Sequence, residues 1–252
     1  MNLKEKLKNG QVSIGSWLTI GDASVAEIMS KSGFDWLAVD MEHSAITLKE
    51  AQDLIRIIEL CGVVPLVRVG ENNPNLIKRV MDAGAHGVIV PMVNSKDDAI
   101  KAFNSTKYPP LGKRGVGLAR AQNYGLGFER YKKWVNKGSI VIVQIEHIEA
   151  VENLEEIFSV DGLDGFIIGP YDLSASLGTP GDFKNSKFVR AINRIKEVAK
   201  KYEIPAGLHV IDPSAVKLNH SIKEGYKFIG FSLDALLLGT KCKQEMEAIN
   251  YK

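Results

Sequence analysis

The chain contains, at positions 140–146, the stretch Ile140-Val-Ile-Val-Gln-Ile-Glu146, and later Asp164-Gly-Phe-Ile-Ile-Gly-Pro-Tyr-Asp-Leu-Ser174. Both begin as short apolar runs, which are typical of strands buried on two faces of a parallel sheet. Because strand side chains alternate, Gln144 and Glu146 share one face of the first strand. Gly and Pro end the second strand, and Asp172 follows at the start of a helical stretch. Neighbouring strands would bring Glu146 and Asp172 to one rim, where parallel α/β proteins place their active sites.

The same strand-then-helix unit recurs outward from this stretch in both directions. Eight strands are predicted, at 13–18, 35–39, 63–69, 87–91, 140–146, 164–168, 206–210 and 227–231. Thr47 and Glu50 form a capping box for one helix, and a helix over 232–249 closes the chain. Eight regular units without a change in composition predict a single (β/α)₈ TIM barrel domain over residues 1–252. A doubly wound open sheet is the alternative, but no Gly-x-Gly-x-x-Gly follows a first strand to support a Rossmann fold.

Composition excludes several classes of protein. The net charge is +2 and the Lys and Arg residues are scattered, which gives no electrostatic case for nucleic-acid or membrane partners. Cys61 and Cys242 lie far apart, so neither a disulfide framework nor a zinc motif is indicated. The N-terminus lacks an apolar signal core, and no 18-residue apolar run occurs. We therefore expect a cytoplasmic protein that acts on small molecules.

Three polar residues after the second and third strands belong to the candidate site. Arg68 ends an apolar strand, and its fork of donors suits a substrate carboxylate, although an arginine there can also extend into solvent. Asp40 and His43 stand three residues apart. An aspartate can orient an imidazole and make it a general base near neutral pH, although such a pair is common by chance.

Glu146 and Asp172 are candidate ligands for a hard divalent cation. The alternatives make Asp172 a helix N-cap and Glu146 a solvated loop residue; the nearby Gln144 favours the metal site. No Lys stands at the carboxyl end of a predicted strand, so Schiff-base chemistry is disfavoured. A divalent ion chelated by a 2-oxo acid would polarise its carbonyl and stabilise an enolate. Oxygen ligands suit Mg²⁺ or Mn²⁺, and Co²⁺ is also compatible.

The remaining histidines carry weaker signals. His86 and His220 are predicted to be structural and solvated, respectively, while His147 either supports Glu146 or is simply exposed. The strand face of His209 cannot be fixed from so short a run. The segment 108–134 is too long for a simple connector, which is typical of functional loops or partner contacts.

Five motifs together resemble one family. They are Asp35-Trp-Leu-Ala-Val-Asp-Met-Glu-His43, Pro65-Leu-Val-Arg68, Lys113-Arg-Gly-Val-Gly-Leu-Ala-Arg120, Gln144-Ile-Glu146 and Gly169-Pro-Tyr-Asp-Leu-Ser174. In this combination and order the chain, from about residue 15 to 234, resembles the HpcH/HpaI aldolases, which are class II pyruvate aldolases.

The resemblance implies a role for each matching residue. Glu146 and Asp172 would bind the divalent metal. Arg68 would hold the pyruvyl oxygens and stabilise the enolate. His43, oriented by Asp40, would act through a water as acid and base for the aldol hydroxyl.

The resemblance also implies further substrate contacts and an assembly. Gln144 would help position the keto acid, and its carboxylate would be received by the backbone of Gly169, Pro170, Tyr171 and Asp172. Asp82 would reach the active site of a neighbouring subunit. Family members are typically homohexamers with an exchanged C-terminal helix. Met41, His147 and Tyr171 depart from the family pattern beside the site, which bears on aldehyde specificity more than on enolate chemistry.

The leading hypothesis is a metal-dependent aldolase that cleaves a 4-hydroxy-2-oxo acid into pyruvate and an aldehyde. Oxaloacetate decarboxylation and an acyl-CoA lyase of the citrate-lyase type would use the same enolate. The CoA reaction is the weaker of these two, because no phosphate-cradling loop is found. A barrel that binds a keto acid without catalysis is a third hypothesis, against which the full set of carboxylates, Arg and His argues.

Overall fold

A computed structural model describes residues 3–249. Its eight strands are β1 Ser13–Leu18, β2 Trp36–Asp40, β3 Val64–Arg68, β4 Gly87–Val90, β5 Ile140–Ile145, β6 Gly165–Ile168, β7 Ala206–Val210 and β8 Phe228–Leu233. Each strand pairs in parallel with the next along the chain, and β8 pairs with β1, so the sheet closes. The predicted (β/α)₈ barrel is therefore confirmed, and the open-sheet alternative is wrong.

Helices alternate with the strands and mostly cover the outside of the barrel, while Leu3 and Leu7 of the first helix pack against the interior cluster. They are α1 Leu3–Lys8, α2 Ala23–Ser30, α3 Leu48–Leu60, α4 Pro74–Asp82, α5 Lys96–Thr106, α6 Phe128–Gly138, α7 Ile148–Glu152, α8 Leu154–Phe158, α9 Pro170–Ser176, α10 Ser186–Lys201, α11 Ala215–Lys223 and α12 Asp234–Ala248. The predicted capping box of α3 is present: Thr47 and Glu50 bond each other's backbone. A 3₁₀ helix, Arg120–Gly125, and α6 lie in the long segment 108–134. None of the helices within residues 3–249 is long and apolar enough to cross a bilayer.

Large side chains fill the interior of the barrel. Trp36 stacks on Phe228 with ring centroids 4.3 Å apart, and Trp17 meets Trp36 edge to face. Gly15 allows this packing, since a Cβ there would lie 2.0 Å from the Trp36 ring. Ile142 belongs to the same interior cluster, which places the alternate residues of β5 inward. That alternation carries Gln144 and Glu146 to the inner face at the carboxyl end.

Two predicted helices differ from the structure for long-range reasons. The helix predicted over 150–158 is two short helices that meet at Asn153, whose side chain donates to the carbonyl of Asn94. The closing helix begins at Asp234 rather than at residue 232, because β8 continues to Leu233. Among the described residues of α12, only Asp234 is buried.

Candidate active site

The carboxyl ends of the strands surround a cavity of about 510 Å³. Its wall is formed by Trp17, Thr19, Asp40, His43, Arg68, Gln144, Ile167, Ile168, Gly169, Pro170, Tyr171, Asp172, His209, Ile211 and Leu233. Most of the predicted site residues are thus brought together from four different strands and the loops that follow them. Asp82 and Glu146 are absent from this wall; Glu146 is buried behind it, where Gln144 donates to its carboxylate.

Arg68 and Asp40 form a buried, two-pronged ion pair. Arg68 donates from Nε to Oδ1 at 2.9 Å and from Nη2 to Oδ2 at 2.6 Å. The guanidinium lies 4.4 Å from the centre of the Trp17 ring. Burial disfavours the charged carboxylate, but Arg68 and two backbone N–H groups outweigh it and hold the pKa of Asp40 below its ordinary value. Nη1 of Arg68 has no hydrogen-bond partner among residues 3–249, so it remains available to a ligand.

The expected orientation of His43 by Asp40 is not what the structure shows. Asp40 accepts the backbone N–H of His43 at 3.2 Å, and its two oxygens are otherwise taken by Arg68 and the Glu42 backbone. The His43 side chain is 61% exposed, and its Nε2 lies 3.8 Å from Glu42 Oε2. Asp40 therefore shapes the turn that carries His43 rather than holding the imidazole.

Glu146 is buried, so the solvated-loop alternative is wrong. Its Oε1 accepts the backbone N–H of Met92 at 2.8 Å, and Gln144 donates to its Oε2. Met92 has a φ of 51°, a left-handed conformation that is uncommon for this residue type and recurs at functional sites. Burial raises the pKa of Glu146 above its ordinary value and the Asp172 charge adds to this, although the two hydrogen bonds oppose it.

Asp172 is the third residue of α9, and the N-cap position is held by Gly169. The N-cap alternative for Asp172 is therefore wrong. A Cβ at Gly169 would lie 2.8 Å from Glu146 Oε2, so glycine lets the start of α9 approach this carboxylate closely. Asp172 is exposed toward the cavity that it helps to line.

Glu42 is a member of the site that the sequence reasoning missed. Its Oε2 is buried without a hydrogen bond and lies 3.3 Å from Arg68 Nε. Burial raises the pKa of Glu42 to about 7; Arg68 opposes the rise, while the charges of Glu146, Asp40 and Asp172 add to it. Its place two residues beyond Asp40 was the available signal, but a turn offers no alternation that would show where a side chain points.

This group of carboxylates fits a divalent cation. The charge of Asp172 adds to the raised pKa of Glu146, and the charges of Glu146 and Asp172 add to that of Glu42, whose buried Oε2 has no hydrogen-bond partner, so positive charge is in deficit there. The donors are oxygens, which Mg²⁺ and Mn²⁺ prefer. Within residues 3–249, no three or more His, Cys, Asp or Glu side chains form a complete metal-binding set. Glu146 and Asp172 would thus supply two ligands and leave the others to substrate and water.

His209 and Trp17 also line the cavity, and neither was assigned a role from sequence. His209 Nε2 lies 3.2 Å from the carbonyl of Ser232. Its ring centre is 5.4 Å from that of Trp17. Burial lowers the pKa of His209 to about 4, so the ring is neutral at neutral pH.

The other predicted residues lie elsewhere. Asp82 is the last residue of α4 and forms an ion pair with Arg114 at 2.5 Å. It lies away from the cavity of its own chain. His86 pairs with Glu59 and the exposed His220 with Glu224, in agreement with their predicted structural and solvated character. His147 caps α7 by accepting the backbone N–H of Glu149.

A buried lysine, Lys107, lies at the opposite end of the barrel from the cavity. It donates to the carbonyl of Ser139, which directly precedes β5. Lys107 therefore does not reach the cavity. Among the described residues, no lysine that could form a Schiff base lines the cavity wall.

Comparison with known proteins agrees with this geometry. Residues 13–239 match the family model described as HpcH/HpaI aldolase/citrate lyase. A 2-keto-3-deoxy-L-rhamnonate aldolase from Escherichia coli O17:K52:H18 is 36% identical over 249 residues, covering 96% of this chain and 91% of that protein. A crystal structure of an HpcH/HpaI aldolase/citrate lyase family protein from Burkholderia cenocepacia J2315 superimposes with a TM-score of 0.90 at 32% identity, covering 97% of each chain. An HpcH/HpaI aldolase from Desulfitobacterium hafniense DCB-2 gives a TM-score of 0.90 at 29% identity, covering 100% of this chain and 98% of that one. The chain therefore belongs to the HpcH/HpaI aldolase/citrate lyase family, and it is an enzyme that makes or breaks carbon–carbon bonds.

Proposed function

We propose that this enzyme is a class II aldolase that cleaves a 4-hydroxy-2-oxo acid, of the 2-keto-3-deoxy sugar-acid type, into pyruvate and an aldehyde. The observation that carries the proposal is one cavity lined by Arg68, Gln144 and Asp172, with the buried Glu146 held directly behind Gln144 and within the electrostatic reach of Asp172. Class II aldolases of this family use a divalent metal, and we assign Mg²⁺ or Mn²⁺, with Co²⁺ as a substitute. The E. coli relative, named for a 2-keto-3-deoxy acid, supports the substrate class.

The side chains of this site divide the chemistry among them. Glu146 and Asp172 would hold the cation, which would act as a Lewis acid and withdraw electrons from the keto group. Arg68 donates its available Nη1 to the pyruvyl oxygen and stabilises negative charge on it as the C3–C4 bond breaks. Trp17 and Asp40 fix the guanidinium, so the donor is in place before charge develops. Gln144 fixes Glu146 and can position the keto acid.

Proton transfer falls to the residues that follow β2. His43 lines the cavity and is exposed, so it is assigned the acid–base role for the aldol hydroxyl, through a water. Glu42 lies beside it, and burial raises the pKa of its carboxyl to about 7 in the metal-free protein. Gly169, Pro170 and Tyr171 form the wall beside Asp172, against which we place the substrate carboxylate.

We further propose that residues 1–252 form one domain, which assembles into a homohexamer through an exchanged C-terminal helix. The eight strands close one barrel over residues 13–233. On α12, Leu238 and Met246 are 59% and 56% exposed, which leaves an apolar surface for another subunit to cover. Asp82, away from its own cavity, is assigned to the site of a neighbouring subunit.

The proposed function is tested by hydrogen exchange into pyruvate, which requires no knowledge of the aldehyde. The protein is incubated with pyruvate in D₂O after EDTA treatment and after reloading with Mg²⁺ or Mn²⁺, and the methyl signal is followed by NMR. We expect exchange that requires metal and is lost in Glu146→Gln, with Glu71→Gln, an exposed carboxylate outside the cavity, as the control. Exchange that survives metal removal would contradict the proposed chemistry. Oxaloacetate decarboxylation, assayed in parallel, separates the aldolase from the alternative use of the same enolate.

A further inference from the structure

Between β6, which precedes Asp172, and β2, which ends at Asp40, the cavity wall is formed by β7, β8 and β1. His209 pairs with Gly230 in the register of β7 and β8. A Cβ at Gly230 would lie 2.9 Å from Trp17 Nε1 and 3.6 Å from His209 Cδ2, so the bare backbone of β8 accommodates both rings. Trp17 contacts the Arg68 guanidinium as well as His209. Trp17 therefore contacts both His209 and the proposed pyruvate-binding arginine.

The hydrogen-bonding state of His209 follows from its single backbone contact. The carbonyl of Ser232 can only accept, so the Nε2 that faces it carries the hydrogen. The ring is neutral at neutral pH because of its burial. Nδ1 is then left with a lone pair and no proton, and it can only accept a hydrogen bond.

The cavity wall next to His209 is largely apolar, so a hydrogen-bond acceptor at His209 has few polar neighbours. Ile211 and Leu233 line the cavity beside His209. The hydroxyl of Thr19 is donated to Asp234 Oδ1 at 2.6 Å. A substrate held at one end by Arg68 thus meets apolar surface and one histidine acceptor on this side.

We propose that His209 Nδ1 accepts a hydrogen bond from a hydroxyl group of the aldehyde-derived part of the substrate, beyond the hydroxyl formed from the aldehyde carbonyl. The preferred aldehydes are consequently 2-hydroxyaldehydes rather than unsubstituted alkanals. This inference rests on the proposed aldolase function and specifies its substrate. His209 is assigned to specificity only, because its ring contacts Trp17, which in turn contacts the enolate-binding Arg68.

The test compares two aldehydes that differ by one hydroxyl, glycolaldehyde and acetaldehyde, in the condensation with saturating pyruvate. The quantity of interest is the ratio of their kcat/KM values, taken in wild type and in His209→Phe, so that the intrinsic reactivity of each aldehyde cancels. Loss of one neutral hydrogen bond should lower the wild-type preference for glycolaldehyde by roughly three- to tenfold. His209→Asn, which can place an amide oxygen near the position of Nδ1, should retain part of the wild-type preference for glycolaldehyde. Ile211→Val, an apolar change on the same wall, should leave the ratio unchanged.

Metal-dependent exchange of pyruvate separates this inference from the proposed function. Unchanged exchange in His209→Phe, together with the lost preference, supports the inference. Equal losses for both aldehydes, or an unchanged ratio, overturn it while leaving the aldolase assignment in place. No exchange in wild type overturns both.

A second readout avoids substitution. In wild type labelled with ¹⁵N-histidine, the Nδ1 signal of His209 should shift when glycolaldehyde, but not acetaldehyde, is added to the enzyme with pyruvate. An absent or identical shift contradicts the inference.

Discussion

Arg68 makes three kinds of contact in the site: it pairs with Asp40, lies over the Trp17 ring and lines the cavity. Arg68→Lys keeps the charge but removes the two-pronged geometry, so we expect pyruvate exchange to fall at least tenfold. Arg68→Ala also leaves Asp40 buried without its partner, and should lower the free energy of unfolding by about 3 kcal/mol. Exchange rates and urea unfolding measure the two effects separately. A fully active lysine variant would contradict the assigned role.

Glu42 should make the metal-free protein less stable as the pH rises. Its pKa is about 7 when folded against an ordinary 4.5, so between these values the folded state keeps a proton that the unfolded chain has released. Its contribution is therefore most favourable below pH 4.5 and declines as the pH rises through 7. Glu42→Gln should remove this decline, as measured by urea unfolding in EDTA from pH 4.5 to 8. The same decline in the variant would assign it to another group, and Glu71→Gln serves as the exposed control.

At the residue scale, the sequence indicated which side chains gather but not how they pair. Asp40 was identified from its strand end, yet its partner is Arg68, 28 positions away, rather than the nearby imidazole. Glu42 lies in a turn, where strand alternation no longer applies. His209 was ambiguous until its register with Gly230 placed it on the inner face. Pairings of this kind depend on closure of the barrel, which no local pattern encodes.

At the scale of elements, Asp234 connects the last helix to the first strand. Its carboxylate accepts the backbone N–H groups of Thr19, Ile20 and Ala235 as well as the Thr19 hydroxyl. Asp234→Ala leaves these donors without their acceptor, and should lower the free energy of unfolding by about 2–4 kcal/mol. Thr19→Val, which removes one of the four bonds, should lower it by about 1 kcal/mol. Urea unfolding compares the two, and equal effects would contradict this account.

The strand and helix order was predictable because the apolar runs and caps are local signals. Thr47 and Glu50 marked the start of α3 correctly, for example. The errors occur where a distant residue decides the boundary. Asn94 breaks the helix predicted over 150–158 through Asn153. Asp234 binds the end of β1, 215 positions earlier in the chain, just where β8 passes into α12.

At the scale of the whole molecule, the exposed side of α12 predicts how subunits associate. Leu238 and Met246 are apolar and more than half exposed, so we expect another subunit to bury them. Leu238→Glu with Met246→Glu should reduce the mass of the particle in solution, as measured by light scattering after gel filtration. Gln244→Glu adds charge at another exposed position of the same helix and should change nothing. An unchanged mass in the double variant would remove α12 from the assembly.

The close packing of Trp17, Trp36 and Phe228 inside the barrel also affects how substrates enter and products leave. Among the described residues this packing fills the barrel interior, so we expect reactants and products to enter and leave at the carboxyl ends of the strands. In the binding mode proposed above, the pyruvate fragment lies against Arg68 and the inner carboxylates, and the aldehyde fragment extends past His209 toward the open side of the cavity, where His43 and Tyr171 are exposed. The aldehyde must then leave first and pyruvate last. In the cleavage direction, pyruvate should accordingly be a competitive inhibitor against the hydroxy-oxo acid, and the aldehyde should not. Steady-state product inhibition therefore determines the order in which the two products are released.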